Sequence, residues 1–205
     1  MRALIEDSRA VDSPYRIAAV VSDRASAAGL AVARELGVDA EALPPPAGMD
    51  RSGYESLLEK AIARRRPALI ALAGFMRILS APFVEAFSGR VLNVHPSLLP
   101  RHPGLHTHRR ALAAGDAEHG ATVHFVTPEL DAGPAVIQAR LRIDAQDDEE
   151  RLAGRVLGLE HRIYPLAVRW FCSGRLALRE GRAFLDGHPL TAPVQFDAEL
   201  AAAAR

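Results

Sequence analysis

Apolar positions along the chain follow two different periods. Short aliphatic and β-branched runs recur at "RIAAVVSD" (16–23), "ALIALAGF" (68–75), "RVLNVH" (90–95), "TVHFV" (122–126) and "AVIQARLRI" (135–143). Runs of this length, bounded by turn residues, predict strands. The uninterrupted run Ala68–Phe75 predicts a strand covered on both faces. "AEALPPP" predicts a short strand broken by prolines.

Between these runs the spacing turns helical. "ASAAGLAVARELG" stops at Gly37, and "DRSGYESLLEKAIARRRP" has Asp50 or Ser52 as cap and a cationic end at Arg64–Arg66. "SAPFVEAFSG" is a short helix capped by Ser80, with Pro82 in its first turn. The longest helical pattern is "DDEERLAGRVLGLEHRIYPLAVRWF". Its apolar stripe runs Leu152, Val156, Leu159, Ile163, Leu166, Trp170, and its first turn is acidic. "MRALIED" reads as the later part of an amphipathic helix, "LALREGRAFLDG" as a hairpin, and "AELAAAAR" as a frayed helical tail. Strands alternating with helices predict a mostly parallel α/β sheet with flanking helices. The length fits a single domain over residues 1–205, with 1–15 a first helix and loop and 190–205 a tail.

Charge adds little. Lys plus Arg and Asp plus Glu are 25 each, so no global field favours nucleic acid or an anionic membrane. A single cysteine, Cys172, excludes an internal disulfide framework and fits a reducing compartment, so a cytoplasmic location is expected.

In α/β sheets ligands sit at the carboxyl ends of strands, where Phe75, Asn93 and His95 fall. Asn93 and His95, two apart on a strand, share a face. An amide offers a fixed donor; an imidazole offers one that is also an acid. The pair suits a carbonyl passing through an oxyanion. Asp131, in "TPELDAGP", is the candidate carboxylate to support the imidazole, though it reads equally as a turn-forming residue. No serine or cysteine has a nucleophile's setting, so direct transfer or hydrolysis is expected. His102, His106 and His108 match no zinc spacing; a solvated loop is expected there, and no metal. Glu160 and His161 read as a solvated pair.

"LAGFMRILS", the long stretch from "LNVHPSLLP" to "LDAGP", and "EHRIYPL" together resemble the phosphoribosylglycinamide formyltransferase family, over about Arg16 to Gly187. The resemblance implies a Rossmann-like formyltransferase fold. It implies formyl transfer from 10-formyltetrahydrofolate to the amine of glycinamide ribonucleotide, with no metal. Asn93, His95 and Asp131 are the implied catalytic residues. Arg51, Met76, Arg77, Ile78, Leu79, Asn93, Thr127, Glu129, Leu130 and Asp131 are the implied folate contacts. Gly74, Met76 and Glu160 are the implied ribonucleotide contacts. "PRHPGLHTH" is then expected to be a mobile cover, and the protein a monomer or weak homodimer. Methionyl-tRNA formyltransferase and formyltetrahydrofolate hydrolase share some of these motifs and stand as alternatives.

The family's first strand and its glycine-rich turn have no counterpart in this sequence. That strand is normally central, between those at 16–23 and 68–75. Each buried backbone group left unpaired costs about 1–3 kcal/mol, against a total stability of about 5–15 kcal/mol. The expectations are poor stability and weak activity for the sequence as it stands, and either a start further upstream or a truncated copy.

Overall fold

The computed structural model describes residues 1–197; the helical tail expected at 198–205 lies outside the described residues. Helix α1 (Arg2–Asp7) leads to β1 (Val20–Ser22), α2 (Ala28–Glu35), β2 (Ala40–Ala42), α3 (Arg51–Ala63) and β3 (Ile70–Leu72). Then come α4 (Ala81–Ala86), β4 (Val91–His95), α5 (Thr107–Ala113), β5 (Glu118–Phe125) and β6 (Ala135–Arg142). The 24-residue α6 (Glu149–Cys172) follows. Strands β7 (Leu176–Arg179), β8 (Arg182–Leu185), β9 (His188–Pro189) and β10 (Val194–Gln195) end the described chain.

The central sheet has the order β10-β6-β5-β4-β3. β3 runs parallel to β4 and β10 parallel to β6, while β5 is antiparallel to both of its neighbours, β4 and β6. The expected hairpin is present as β7–β8, extended by β9 into a separate sheet.

The main core lies where α6 packs on β5 and β6. Leu152, Val156, Ile163, Leu166 and Trp170 of its predicted stripe are buried against Leu92, Val123, Phe125 and Ile137. Burying each such side chain stabilises the fold by about 1.5–3 kcal/mol. The start of α6 is set by Asp148, whose carboxylate accepts from the Arg151 amide at 2.8 Å. The predicted caps of α3 and α4 also form, from Asp50 to Gly53 and from Ser80 to Phe83.

Two expected strands are corrected. The runs at 16–23 and 68–75 narrow to three residues each, and all six are only half-buried. β1 pairs with β2 alone, in a sheet of its own, and β3 is an edge of the central sheet. Aliphatic residues suited to double-sided cover therefore lie beside strand edges that no described strand pairs, which shortens the regular segment. Tyr164 of α6 holds β3 against β4, its hydroxyl 2.8 Å from the Leu72 carbonyl and 2.9 Å from the Leu92 carbonyl. Among the described residues no helix is long and apolar enough to cross a membrane.

Candidate active site

Asn93 and His95 sit at the end of β4, the strand between β3 and β5. The antiparallel register places Asn93 opposite His124 and His95 opposite Thr122. His124 Nδ1 lies 2.9 Å from the Phe125 carbonyl, which can only accept. Nδ1 therefore carries the proton, and Nε2 is left as an acceptor. Burial pushes the His124 ring down from its ordinary value, which keeps it in this neutral form. Asn93 Nδ2 lies 3.2 Å from His124 Nε2 and donates to it. That bond fixes which way the amide points and leaves its second N–H for a ligand.

His95 is buried, with Nδ1 at 3.4 Å from Asp131 Oδ2. Its Nε2 lies 3.0 Å from the carbonyl of His102. Acceptors thus flank the ring at both nitrogens, the His102 carbonyl at hydrogen-bond distance. Asp131 reaches this place from the β5–β6 connection with φ at +52°, a left-handed conformation that Asp tolerates. It also accepts from the Gly104 amide at 2.8 Å and stands 3.7 Å from His124 Nε2. Gly133 makes the turn possible: a Cβ there would meet the Phe125 carbonyl oxygen at 1.8 Å.

The chain leaving His95 is pinned beneath the site by a buried polar network. Thr122 Oγ1 donates to the Ser97 carbonyl at 2.6 Å and accepts from the Leu99 amide at 3.1 Å. Gln138 Nε2 donates to the Leu99 carbonyl at 2.8 Å. The loop backbone is thereby satisfied where water is excluded.

The solvated histidine loop expected at 101–108 needs correction. His102 Nε2 lies 2.7 Å from Asp116 Oδ2, both side chains being largely buried. His108 Nδ1 lies 3.1 Å from His119 Nε2; burial pushes His119 down to about 4. Only His106 is exposed, and it opens α5, a helix the proline- and glycine-rich sequence concealed.

A cleft of about 300 Å³ is lined by Arg51, Tyr54, Glu55, Phe75, Arg77, Ile78 and Leu79. Arg77 donates to Asp23 at 2.8 Å while its guanidinium lies 4.9 Å from the Tyr54 ring centroid. Among the described residues the buried Tyr54 hydroxyl has no hydrogen-bond partner. Burial pushes Glu55 up, but hydrogen bonds from Ser80 and Arg51 outweigh it and hold its carboxyl below the usual range. Ile78 and Met76 present apolar surface to solvent, whereas Leu79 is buried in the cluster with Leu58, Phe83 and Val84. The side chain of Leu79 belongs to the core, and ligand contact there falls to its backbone. Gly74, at φ +69°, Thr127, Glu129 and Leu130 lie on loops after β3 and β5. Of the expected solvated pair, His161 is exposed but Glu160 is partly buried: burial pushes its carboxyl up to about 7, opposed by the nearby Met1 ammonium.

Structure therefore brings Asn93, His95 and Asp131 together, and Arg51, Arg77 and Ile78 around one cleft. Sequence reading missed His124, Tyr54 and Glu55. For His124 the available signal was its place in the "TVHFV" strand, two residues after Thr122; its pairing with Asn93 depends on register.

An α/β sheet here carries an amide, an imidazole and a carboxylate around the end of one strand, groups suited to stabilising a carbonyl oxyanion and moving a proton. Residues 1–168 match the formyl transferase family, and the chain belongs to that family. It is 46% identical to phosphoribosylglycinamide formyltransferase of Escherichia coli (strain K12) over 190 residues, covering 93% of this chain and 90% of that protein. The enzyme of the same name from Haemophilus influenzae is 41% identical over 196 residues. Among solved structures, phosphoribosylglycinamide formyltransferase from Coxiella burnetii superposes with a TM-score of 0.90 at 47% identity, covering 96% of this chain and 92% of that one.

Proposed function

We infer that this protein transfers the formyl group of 10-formyltetrahydrofolate to the primary amine of glycinamide ribonucleotide, a step of purine biosynthesis. The observation that carries the reading is the convergence of His95 and Asp131 at 3.4 Å beside an Asn93 amide whose orientation His124 fixes. The names of the relatives supply the acceptor.

The amine attacks the formyl carbon, forming a new C–N bond and driving the carbonyl electrons onto oxygen. The free N–H of Asn93 donates to that oxyanion, and His95 acts on it as the general acid, giving it an N–H proton on addition and recovering that proton as the intermediate collapses. Asp131 accepts the proton lost by the amine, through water, and the proton passes to the folate nitrogen as its bond to carbon breaks. The cleft suits an aromatic ligand ending in carboxylates: Ile78 and Phe75 give apolar walls, Arg51 and Arg77 positive charge, and Tyr54 a spare donor. Met76, the Leu79 backbone and the stretch Thr127, Glu129, Leu130, Asp131 complete the folate contacts. Gly74, Met76 and Glu160 meet the ribonucleotide.

The test supplies the purified protein and the formyl folate with glycinamide ribonucleotide, formyl-accepting tRNA or water alone. Formylated ribonucleotide is expected to dominate. Release of formate at the same rate without an acceptor would refute the reading.

A further inference from the structure

His95 has a neighbour that the transfer chemistry does not use. The carbonyl of His102 lies 3.0 Å from His95 Nε2, the nitrogen turned away from Asp131. What keeps that carbonyl there is the side chain of the same residue. Its Nε2 is 2.7 Å from Asp116 Oδ2, and the two side chains are 14% and 12% exposed. His102 stands at φ +51°, a conformation that a non-glycine residue holds only when its surroundings over-determine it. The neighbours are tied as well: Ser97 Oγ donates to the Arg101 carbonyl at 2.6 Å, and the Gly104 amide donates to Asp131 at 2.8 Å. Asp116 is itself fixed at the end of α5, its amide donating to the Ala111 carbonyl at 3.1 Å. The buried His102–Asp116 pair thus joins α5 to the imidazole at the reaction centre.

We propose that His102, anchored by Asp116, is a positioning residue for formyl transfer: it holds the carbonyl that orients the His95 ring and keeps a hydrogen on Nε2 until the formyl oxygen takes the carbonyl's place. The proposal rests on the formyl-transfer reading. Two acceptors clamp the ring from opposite sides, Asp131 and the His102 carbonyl. Once the carbonyl is displaced, the formyl oxygen meets a ring already aimed that need not turn during reaction. A loosened anchor lets the ring turn, and loss of alignment is felt in the chemical step more than in binding. The charged and titratable groups around the clamp are Asp131 from the β5–β6 connection, His119 and His124 from β5, His108 from α5, and Arg101 beside Asp116.

The experiment compares wild type, His102→Phe, His102→Gln and Asp116→Asn as full chains, with kcat and both KM values. His102→Phe keeps a ring but loses the donor, and is expected to lower kcat about 10-fold with KM changed less than about 2-fold. Gln at 102 retains a donor of similar reach and is expected to restore most of kcat. Unchanged kcat in His102→Phe would overturn the proposal while leaving formyl transfer intact. A rise in kcat would also overturn it, showing the carbonyl to be only an obstruction. Absence of transfer by wild type would instead strike the underlying functional reading. Should the variants not fold, the long-range ¹⁵N–¹H spectrum of the wild-type His95 ring at neutral pH decides. A protonated Nε2 supports the clamp, and an unprotonated Nε2 overturns it.

Discussion

Asp131 Oδ2 lies 3.4 Å from His95 Nδ1 while also accepting the Gly104 amide at 2.8 Å. One carboxylate thereby holds the imidazole and a loop backbone at once. Asp131→Asn keeps an oxygen for the amide but removes the charge and the proton acceptor. It is expected to lower kcat by about 10²–10⁴-fold, the usual worth of a general acid–base group, with smaller changes in KM. Steady-state kinetics at saturating ribonucleotide check this. A kcat within a few-fold of wild type would make Asp131 a turn residue only.

The 3.2 Å contact between Asn93 Nδ2 and His124 Nε2 predicts a second loss. His124→Phe fills the space but leaves the amide free to rotate. A decrease in kcat of about 10-fold is expected, less than the 10²–10³-fold typical of deleting an oxyanion donor outright. Asn93→Ala, measured alongside, is expected to fall further. Equal kcat for His124→Phe and wild type would show that Asn93 needs no orienting partner.

His119 gives a prediction about acid stability. Burial holds the ring down at about 4 in the folded protein, against 6.5 ordinarily. The unfolded chain binds the extra proton between those values, so the contribution is complete above about pH 6.5 and is lost as pH falls through about 4. Melting temperatures of wild type and His119→Gln across this window are expected to converge toward low pH. Parallel curves would contradict the sign.

Glu160 acts in the opposite sense. Its carboxyl is pushed up to about 7 from 4.5, so the neutral form is the one the fold accommodates. This contribution is complete below pH 4.5 and is lost as pH rises through about 7. In the absence of ligands, Glu160→Gln is expected to remove that decline, seen as a flatter melting temperature between those pH values. An unchanged slope would place the carboxyl in water.

Long, strongly patterned elements were legible in the sequence: α6 from its stripe, β5 and β6 from their aliphatic and β-branched runs, α3 and α4 from Asp50 and Ser80. The strands at 16–23 and 68–75 were readable in kind but not in length, because length depends on which edges find partners. The active residues divide the same way. Asn93 and His95 showed themselves through strand-end position, and Asp131 through its turn. His124 and the His102–Asp116 pair did not, since their roles come from register and from contacts across 31 and 14 residues. The "HTHRRALA" helix was hidden behind Pro103 and Gly104, which mark a turn but do not forbid a helix three residues later.

Turnover of His95→Gln tests the central claim most directly, because Gln keeps a donor but cannot cycle a proton. With formylated ribonucleotide measured at saturating substrates, kcat is expected to fall by about 10²–10⁴-fold with the fold intact by circular dichroism. A folded His95→Gln protein that turns over at the wild-type rate would contradict the account.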